Sequence, residues 1–292
     1  MDLPELKTLT TVDVPLLRQY LDRWPRQNCD YAVVNLLVWG KIYDNQFTLW
    51  RDHLVLYSPK HAYLFFPVGP GLASSDLREL LDAFRTTDPQ AKLILIPENW
   101  PQTNPDLENF FTLQEDRDWA DYAYAVEKLV NLSGKKMAKK KNLVSQFARS
   151  YPDYHVLPVT PEKHDVLLRF TEKWKRERNV DGAYLKTEFQ AIQNTLAMWN
   201  ELPVDGIIIC HHNKISAYSI FSPVNPDMIT IHFEKYDPDM KGSAQLINWE
   251  TARHLKGKYT WINREQDMGL KGLRQAKLTY QPDFLVKFIS GT

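Results

Sequence analysis

The sequence predicts an α+β fold made of two copies of one unit, and three observations support this prediction. Strand-like segments alternate with amphipathic helices along the whole chain. Both halves show the same order of strand, Pro/Gly turn, helix, short strand and a loop that bears Asn and Glu. The chain of 292 residues is also long enough for two domains. We therefore expect mixed sheets in two domains, residues 1–150 and 151–292.

The first copy centres on a proline and glycine turn, PVGPG, at residues 67–71. A helix is predicted at residues 74–84, where three leucines and a phenylalanine share one face and Ser74 or Ser75 can cap the first turn. The copy ends with DYAYAVEKLV at residues 121–130. The segments predicted as strands are LVLY (54–57), AYLFF (62–66) and KLILI (92–96).

The second copy opens with HVLPV (155–159) and continues with two predicted helices at residues 161–178 and 186–200. Three consecutive antiparallel strands follow, then the turn DPDMKG (237–242), a helix at residues 243–255 and a last short strand. The segments predicted as these four strands are GIIIC (206–210), SAYSIF (216–221), MITIHFEKY (228–236) and KYTWI (258–262).

Opposite charges are concentrated in two neighbouring stretches of the chain. The 36 basic and 36 acidic residues cancel, which excludes a uniformly cationic protein that binds nucleic acid over its whole surface. Residues 98–127, however, hold eight acidic residues against one arginine, and residues 135–178 hold twelve basic residues against five acidic ones. Net charges of −7 and +7 therefore meet near the expected domain boundary.

The sequence carries no sign of secretion or of membrane insertion. The two cysteines, Cys29 and Cys210, are too few for a disulfide framework, so a reduced cytoplasmic setting is expected. The N-terminus MDLPELKTLT lacks the pattern of a signal peptide. The longest apolar stretch, at residues 31–39, is far shorter than the roughly 20 residues that a membrane span needs. We therefore expect no transmembrane segment.

One face of the strand MITIHFEKY is rich in groups that donate, accept or transfer protons. Because successive strand residues point to opposite faces, one face is predicted to hold the apolar residues Ile229, Ile231 and Phe233. The other is predicted to hold Thr230, His232, Glu234 and Tyr236. Such a face lines either a catalytic cleft or the wet side of an antiparallel sheet, and the pattern alone leaves both interpretations open.

Lys241, Gly242 and Ser243 stand where the next helix begins. A helix start presents free N–H groups and a partial positive charge, so these residues are candidates for binding a phosphate or pyrophosphate. The alternative is that Ser243 only caps the helix. The chain has no Walker loop, Rossmann fingerprint, nucleophile elbow or CxxC motif. His211 and His212 are adjacent, and strand neighbours point apart, so we expect no metal site.

The segment NREQDMGLKGLRQAKLTY (263–280) combines a polar loop with a predicted helix at residues 268–277. Gly269 and Gly272 each cost a helix about 1 kcal/mol relative to alanine, which indicates close packing of another backbone or of a ligand. Asp267 suits either a helix N-cap or a binding role. The candidates for binding substrate are Asn263, Arg264, Glu265, Asp267, Arg274 and Lys277.

A lysine-rich stretch at residues 134–150 is predicted to form an amphipathic helix between the two copies. A charge run of this kind is commonly a solvated helix face. The other interpretations are contacts with the phosphates of RNA or with anionic lipid headgroups. The candidate phosphate-binding residues are Lys135, Lys136, Lys139, Lys140 and Lys141.

Three motifs occur in order: DYAYAVEKLVNLSGKKMAKKKN (121–142), HFEKYDPDMKGSAQLINWE (232–250) and WINREQDMGLKGLRQAKLTYQP (261–282). With them, nearly the whole chain resembles a bacterial family of uncharacterised proteins related to the C-terminal domain of phosphatidylglycerol lysyltransferase. The resemblance implies a tandem pair of acyl-CoA N-acyltransferase-like (GNAT-like) domains. Fem-type transferases, which attach amino acids from aminoacyl-tRNA to peptidoglycan precursors, use the same fold.

The resemblance also implies an activity. Acyltransferases of this superfamily hold coenzyme A with an Arg/Gln-x-x-Gly-x-Gly/Ala signature, which is missing around Lys241, Gly242 and Ser243. Users of aminoacyl-tRNA lack it as well, which favours an aminoacyl donor. We therefore expect a cytoplasmic enzyme that transfers an acyl or aminoacyl group, with aminoacyl-tRNA as donor, to an amine or hydroxyl of a small molecule or peptide.

The expected cleft is built mainly by the second domain, and residues 1–150 have a structural role. In this cleft His232 or Glu234 acts as base, Tyr236 as acid, and Asn263 and Arg264 bind the acceptor or stabilise an oxyanion. The lysine-rich helix holds the tRNA. Two alternatives remain open: an acetyl-CoA-dependent N-acetyltransferase, and a non-catalytic module that binds RNA or an anionic membrane.

Overall fold

Two seven-stranded mixed sheets form the centre of the molecule, in a computed structural model that describes residues 5–177 and 183–292. Strands are numbered along the chain. The first sheet contains, in spatial order, β1 (Lys7–Thr8), β2 (Gln46–Trp50), β3 (His53–Ser58), β4 (Tyr63–Phe65), β5 (Lys92–Pro97), β14 (Phe288–Gly291) and β6 (Leu113–Glu115). The second contains β13 (Phe284–Val286), β7 (Asp121–Ala125), β12 (Trp261–Asn263), β11 (Met228–Tyr236), β10 (Lys214–Asn225), β9 (Asp205–His211) and β8 (His155–Pro158).

Helices cover both sheets. They are α1 (Val14–Arg23), α2 (Val33–Val38), α3 (Gly40–Tyr43), α4 (Ser74–Arg85), α5 (Trp100–Thr103), α6 (Val126–Asn131), α7 (Ala138–Ser150), α8 (His164–Glu177), α9 (Ala183–Ala197), α10 (Ser243–Leu255) and α11 (Lys271–Leu278). Arg178, the predicted end of the eighth helix, lies outside the described residues. Within the described ranges, none of the helices is both long and apolar enough to cross a membrane.

The repeated unit is an antiparallel hairpin followed by a helix and a parallel strand. In the first half β3 and β4 are antiparallel, α4 follows, and β5 lies parallel to β4. In the second half β10, β11, α10 and β12 repeat this order. Two parallel neighbours need a crossover connection, which α4 and α10 supply. The predicted α+β fold with mixed sheets is thereby confirmed.

Each sheet also contains a strand from the other half of the chain. After β6, the chain crosses to the second sheet, where β7 pairs with β12 and Ala123 lies opposite Asn263. Near the C-terminus, β13 pairs with β7, and β14 then crosses back to pair with β5. The expectation that residues 121–130 close the first copy is therefore wrong for β7. A strand from each side of residue 150 thus lies in the sheet of the other half. The division at residue 150 stays a prediction.

The predicted helix at residues 74–84 is confirmed as α4, but its first turn is capped differently. The Asp76 carboxylate accepts the Ala73 N–H at 3.2 Å, whereas the Ser74 hydroxyl donates to Asp106 at 2.8 Å. Neither predicted serine therefore caps the helix with its side chain. A carboxylate near the helix start also interacts favourably with the helix dipole.

A β-bulge at His232 breaks the alternation in β11. Phe221 lies opposite Ile231, while its neighbour in β10 lies opposite Phe233, so His232 is an extra residue in the strand. Ile229 and Ile231 pack in the core under α10, whereas Phe233 belongs to the core between the two halves. The predicted apolar face is therefore wrong for Phe233, since the bulge reverses which residues share a face.

Candidate functional site

A cavity of about 430 Å³ lies beside the parallel pair of β4 and β5. Its wall is formed by α2 and α3, by both strands, and by two further segments, residues 116–119 and 265–268. Leu95 lines it in the left-handed conformation (φ 61°), where β5 departs from regular pairing with β14. A cleft built mainly by the second domain was the expectation, whereas most of this lining comes from residues before position 120.

One end of the cavity is acidic. Asp30 and Glu265 both line it, and Cys29 lies beside them. Behind this wall lies Asp121, which is fully buried and accepts hydrogen bonds from the Cys29 N–H at 2.7 Å and from Asn263 Nδ2 at 2.8 Å. Three carboxyl groups are therefore close together in a poorly solvated region.

This crowding changes how readily the groups ionise. Burial raises the pKa of Asp121 to about 7, and the charge of Asp30 adds to the effect. Burial and the charge of Glu265 raise the pKa of Asp30 to about 6. Burial likewise raises the pKa of the Cys29 thiol well above its usual value, so this cysteine is not an activated thiolate. Both aspartates therefore hold a proton more readily than an exposed carboxyl group does.

Asn35 connects the acidic end to the loop that carries Glu265. Its Nδ2 donates to the Cys29 carbonyl at 3.0 Å and to Glu265 Oε1 at 3.0 Å. Both partners are oxygen atoms that accept hydrogen bonds, so the atom of the Asn35 amide that faces them must be the nitrogen. Asn35 Oδ1 is buried and has no hydrogen-bond partner among the described residues.

His232 lies behind Glu265 and does not line the cavity. Its Nδ1 is 3.1 Å from Glu265 Oε1, and its Nε2 is 2.7 Å from the Ser222 hydroxyl. Since a carboxylate only accepts, Nδ1 carries the proton and Nε2 accepts from Ser222. Hydroxyl, imidazole and carboxylate follow the order of a nucleophilic triad, but Ser222 is 1% exposed, so no acyl donor reaches it.

Lys277 and Asn263 hold the loop at residues 264–266 in place. The Lys277 ammonium donates to the carbonyls of Arg264 at 2.7 Å, of Glu265 at 3.0 Å and of Gln266. Asn263 is fully buried, and its Oδ1 accepts the Glu265 N–H at 2.7 Å. Burial lowers the pKa of Lys277 to about 8. Both residues thus make backbone contacts inside the protein, and Glu265 keeps a left-handed conformation with φ 57°.

Glu234 and Arg264 form an ion pair at 2.9 Å, and each side chain is about 15% exposed. The Arg264 guanidinium lies over the Tyr280 ring, and the ammonium of Lys140 also contacts this ring, 4.4 Å from its centroid. Tyr236 lies half-buried at the end of β11. A chain of contacts therefore joins the loop beside the cavity to the lysine-rich helix α7.

Asp267 and Arg274 form a second network, which centres on a buried carboxylate. Asp267 is fully buried and accepts from Arg274 at 2.7 and 2.9 Å, from the Gly269 N–H at 2.9 Å and from the Tyr122 hydroxyl. Burial opposes ionisation, but the hydrogen bonds from Arg274 and Tyr122 hold the pKa of Asp267 well below its usual value. The helix begins at Lys271, so Asp267 is not its N-cap and Gly269 lies outside it.

The start of α10 is covered by protein. Gly242 has a φ of 93°, and a Cβ there would lie 2.4 Å from the Leu143 carbonyl oxygen of α7. Gly242 and Ser243 are buried, and the Ser243 hydroxyl donates to the Asp237 carbonyl at 2.7 Å. Lys241 is exposed. The three residues are adjacent as predicted, but Gly242 packs against α7 and the Ser243 N–H already donates to the Met240 carbonyl at 3.0 Å.

Four lysines of the predicted basic cluster are exposed: Lys135, Lys136, Lys139 and Lys141. Lys140 instead turns inward, and its ammonium donates to the Thr279 carbonyl at 2.7 Å. The exposed four are spread over the start of α7 and the turn before it, so α7 presents a basic surface. Whether this surface binds phosphate stays a prediction.

Sequence reasoning missed Cys29, Asp30, Asn35 and Asp121. For Cys29, Asp30 and Asn35 the available signal was their position in or beside the most apolar stretch of the chain, since a buried polar group needs a partner. The ligand atoms of Cys29, Asp30 and Asp121 lie within 4.8 Å of one another, an arrangement that can hold a metal ion. The rings of His211 and His212 are 4.0 Å apart, because a turn follows the strand, so the expectation that they point apart is wrong.

Solved structures share this fold over nearly the whole chain. A conserved protein of unknown function from Bacteroides thetaiotaomicron VPI-5482 has 31% sequence identity and a TM-score of 0.92, with 99% of each chain covered. L-PGS from Bacillus licheniformis has 13% identity and a TM-score of 0.67, with 97% of this chain and 93% of that chain covered. FemX has 10% identity and a TM-score of 0.62, with 98% and 97% covered. The predicted tandem GNAT-like fold is confirmed.

Sequence comparison gives the family. An uncharacterized protein of Mycoplasmoides gallisepticum is 24% identical over 175 residues, which are 57% of this chain and 54% of that protein. The chain thus matches about half the length of this curated relative. Because residues 22–290 match the family described as phosphatidylglycerol lysyltransferase, C-terminal, the chain belongs to that family.

Proposed function

We propose that the protein transfers an aminoacyl group from aminoacyl-tRNA to an amine or hydroxyl acceptor that binds in the cavity between β4–β5 and residues 265–268. The observation that carries this proposal is the position of Glu265. Its carboxylate lies on the cavity wall, and its backbone is held by Asn263 and Lys277. Family membership and the fold shared with FemX support the reaction class.

In this proposal Glu265 replaces His232 and Glu234 as the general base. Glu265 lines the cavity, and its side chain is 21% exposed. His232 has both ring nitrogens in contact with Ser222 and Glu265, and Glu234 is paired with Arg264. A base must reach the proton that it removes, and among these three only Glu265 faces the space where an acceptor fits. His232 then acts through Glu265 as a positioning residue.

The basic surface of α7 is proposed to bind the tRNA. Lysines attract a phosphate backbone over long range, and this attraction weakens as salt releases counterions. The contacts from Lys140 through Tyr280 to Arg264 place this surface next to the loop that carries Glu265. The acetyl-CoA alternative is less favoured, because Gly242 at the start of α10 packs against α7 and the Ser243 N–H already donates to the Met240 carbonyl.

The direct test follows the fate of a labelled aminoacyl group. Mixed tRNA charged with ¹⁴C-labelled amino acids is incubated with the protein and a pool of small amines and alcohols, and the label that disappears from acid-precipitable tRNA is measured. We expect a faster decrease than spontaneous hydrolysis gives, with label in a new small product. The Glu265→Gln variant should lose about 100-fold or more of this rate, whereas the Glu108→Gln control, at an exposed position, should keep it.

Binding of tRNA is measured separately at several salt concentrations. The Lys139→Ala/Lys141→Ala variant should bind more weakly and with a shallower dependence on salt, by about one unit of slope for each phosphate that a lysine no longer neutralises. Lys7→Ala/Lys41→Ala removes the same charge from exposed positions elsewhere and serves as the control. Binding that is undetectable or independent of salt contradicts the donor proposed here. A rise of melting temperature with coenzyme A would favour acetyl transfer instead.

A further inference from the structure

We propose that the cavity binds the ammonium group of a small primary amine with an apolar body, and that this amine is the acceptor of the transfer. Only the second part of this proposal, that the amine is the acceptor, rests on the proposed function. Binding of the amine follows from the cavity itself, whatever the donor.

The charge of the lining favours a cation. Three carboxyl groups line the cavity, those of Asp30, Asp116 and Glu265, against the single ammonium of Lys92. Lys92 lies over the ring of Tyr63, 4.7 Å from its centroid. His61 contributes an imidazole to the lining, and desolvation lowers its pKa, which disfavours its charged form. The lining is therefore net negative.

Two buried amide oxygens lack donors. Asn35 and Asn45 line the cavity and are 8% and 7% exposed, and the Oδ1 atom of each has no hydrogen-bond partner among the described residues. A buried acceptor without a donor costs about 1–3 kcal/mol. The Asn35 amide cannot avoid this by rotating, because its Nδ2 already donates to Cys29 and Glu265. A primary ammonium brings three N–H donors and no acceptor, so it can supply the donor that a buried amide oxygen of the lining lacks.

Aromatic rings line the rest of the cavity. Trp39 stacks on Tyr43 with ring centroids 5.9 Å apart, and Tyr43 meets His61 edge to face at 4.4 Å. Phe65 and Trp119 also contribute to the wall. Such surfaces bury an apolar body, and their faces attract a cation. A volume of about 430 Å³ is in the range for a small molecule.

A metal ion is the competing occupant of the acidic end. Cys29, Asp30 and Asp121 are close enough together to hold one. Asp121, however, already accepts from the Cys29 N–H and from Asn263, and Cys29 Sγ contacts both Asp121 and Gln266. The groups without such partners are instead the amide oxygens of Asn35 and Asn45. An organic ammonium can donate an N–H to such an oxygen and also uses the aromatic wall, which a metal ion does not.

The transfer step balances as follows. The ammonium loses one proton to the Glu265 carboxylate, and the resulting amine nitrogen attacks the carbonyl carbon of the aminoacyl ester. A C–N bond forms and the C–O bond to the tRNA ribose breaks. The second proton leaves the nitrogen as the amide forms, and the ribose oxygen is protonated. The products are an amide, uncharged tRNA with its free hydroxyl, and one proton released to solvent.

Binding is tested with phenethylamine and 2-phenylethanol, which differ in the ammonium group. Isothermal titration of the full chain should show phenethylamine binding at least 10-fold more tightly. The Asp30→Asn variant should lose most of this preference, while Asp153→Asn, at an exposed position, should retain it. The Lys92→Met variant should bind phenethylamine more tightly, by about 3- to 10-fold, because a repelling charge is removed. A gain of this kind does not arise from damage to the fold.

Equal affinity for the two probes, or an unchanged preference in Asp30→Asn, would overturn the ammonium site. Stabilisation by Zn²⁺ or Mn²⁺ that is abolished in Asp30→Asn, with no binding of phenethylamine, would assign the acidic end to a metal ion instead. The transfer half is tested by mass spectrometry of the aminoacyl amide of phenethylamine. Transfer from aminoacyl-tRNA to alcohols alone overturns the amine acceptor but leaves the proposed function standing. Amine binding without transfer to any acceptor leaves the site standing but removes the proposed function.

Discussion

Nδ1 of His232 lies 3.1 Å from Oε1 of Glu265, and this contact joins the centre of the second sheet to the wall of the cavity. It depends on two local distortions. The bulge makes His232 an extra residue in β11, and Glu265 adopts a left-handed backbone with φ 57° directly after β12. Distortions of this kind cost free energy and are frequent at functional sites. The two strands β11 and β12 therefore jointly determine the orientation of the Glu265 carboxylate.

Replacing His232 should lower the rate of transfer without weakening substrate binding. His232→Leu removes the donor to Glu265 and leaves the Ser222 hydroxyl unpaired, so we expect kcat to fall about 10- to 100-fold with little change in KM. His232→Asn keeps a donor near the position of Nδ1 and should recover part of the rate. Steady-state kinetics of both variants checks this. An equal loss in both, with a raised KM, would indicate general damage to the site.

Stability should depend on pH through Asp121. Its pKa is raised to about 7 by burial, so the folded protein binds this proton more tightly than the unfolded chain does. Its contribution to stability is therefore complete below the unfolded pKa of roughly 3.9 and is lost as the pH rises through 7. In Asp121→Asn this loss is absent.

The stability of Asp121→Asn relative to wild type should consequently improve by about 2 kcal/mol between pH 5 and pH 8. Urea denaturation at the two pH values measures the change. Asp153→Asn, an exposed aspartate, should show no such trend. A difference between Asp121→Asn and wild type that is constant with pH would mean that Asp121 titrates normally in the folded state.

Local patterns were enough to predict most of the elements, whereas the family was recognised from the resemblance that three longer motifs carry. The leucine face of α4 and the three antiparallel strands β9, β10 and β11 follow directly from periodicities of 3.6 and 2. The crossing of β7 and β14 between sheets was not predictable in this way. Which strand becomes the neighbour of β5 or β12 depends on tertiary packing, and a strand pairs equally well with either edge by its own pattern.

The candidate site, too, was only partly predictable from the sequence. The loop at residues 263–267 was recognised because polar residues follow an apolar strand, and Glu265 does line the cavity. Asp30 lines the same cavity as Glu265, and Asn35 donates a hydrogen bond to Glu265. Both residues are more than 200 positions away from Glu265 in the sequence. A contact of this range leaves no periodic signal. Phe233 was assigned to the wrong core because a bulge is invisible to strict alternation.

Asp267 should stabilise the fold at neutral pH and lose this effect in acid. Hydrogen bonds from Arg274 and Tyr122 hold its pKa well below normal, so its contribution is present above the unfolded pKa of roughly 3.9 and declines as the pH falls toward the folded pKa. Asp267→Asn should be about 3 kcal/mol less stable at pH 7, because a buried partner of arginine loses its charge. The deficit should shrink by pH 3. Denaturation at both pH values checks this, and a deficit that is equal at pH 3 and pH 7 would contradict it.

Gly242→Ala should destabilise the packing of α10 against α7. The added Cβ would lie 2.4 Å from the Leu143 carbonyl oxygen, in a backbone with φ 93°, so the variant suffers both a clash and conformational strain. Gly134→Ala is the matched control, because Gly134 has φ 88° and nothing within 4 Å of the added carbon. We expect a loss of about 3 kcal/mol for Gly242→Ala and about 1 kcal/mol for Gly134→Ala in chemical denaturation. Because α7 carries the exposed lysines, Gly242→Ala should also weaken tRNA binding. Equal losses of stability in the two variants would show that strain alone acts at Gly242 and that α7 moves to accommodate the methyl group.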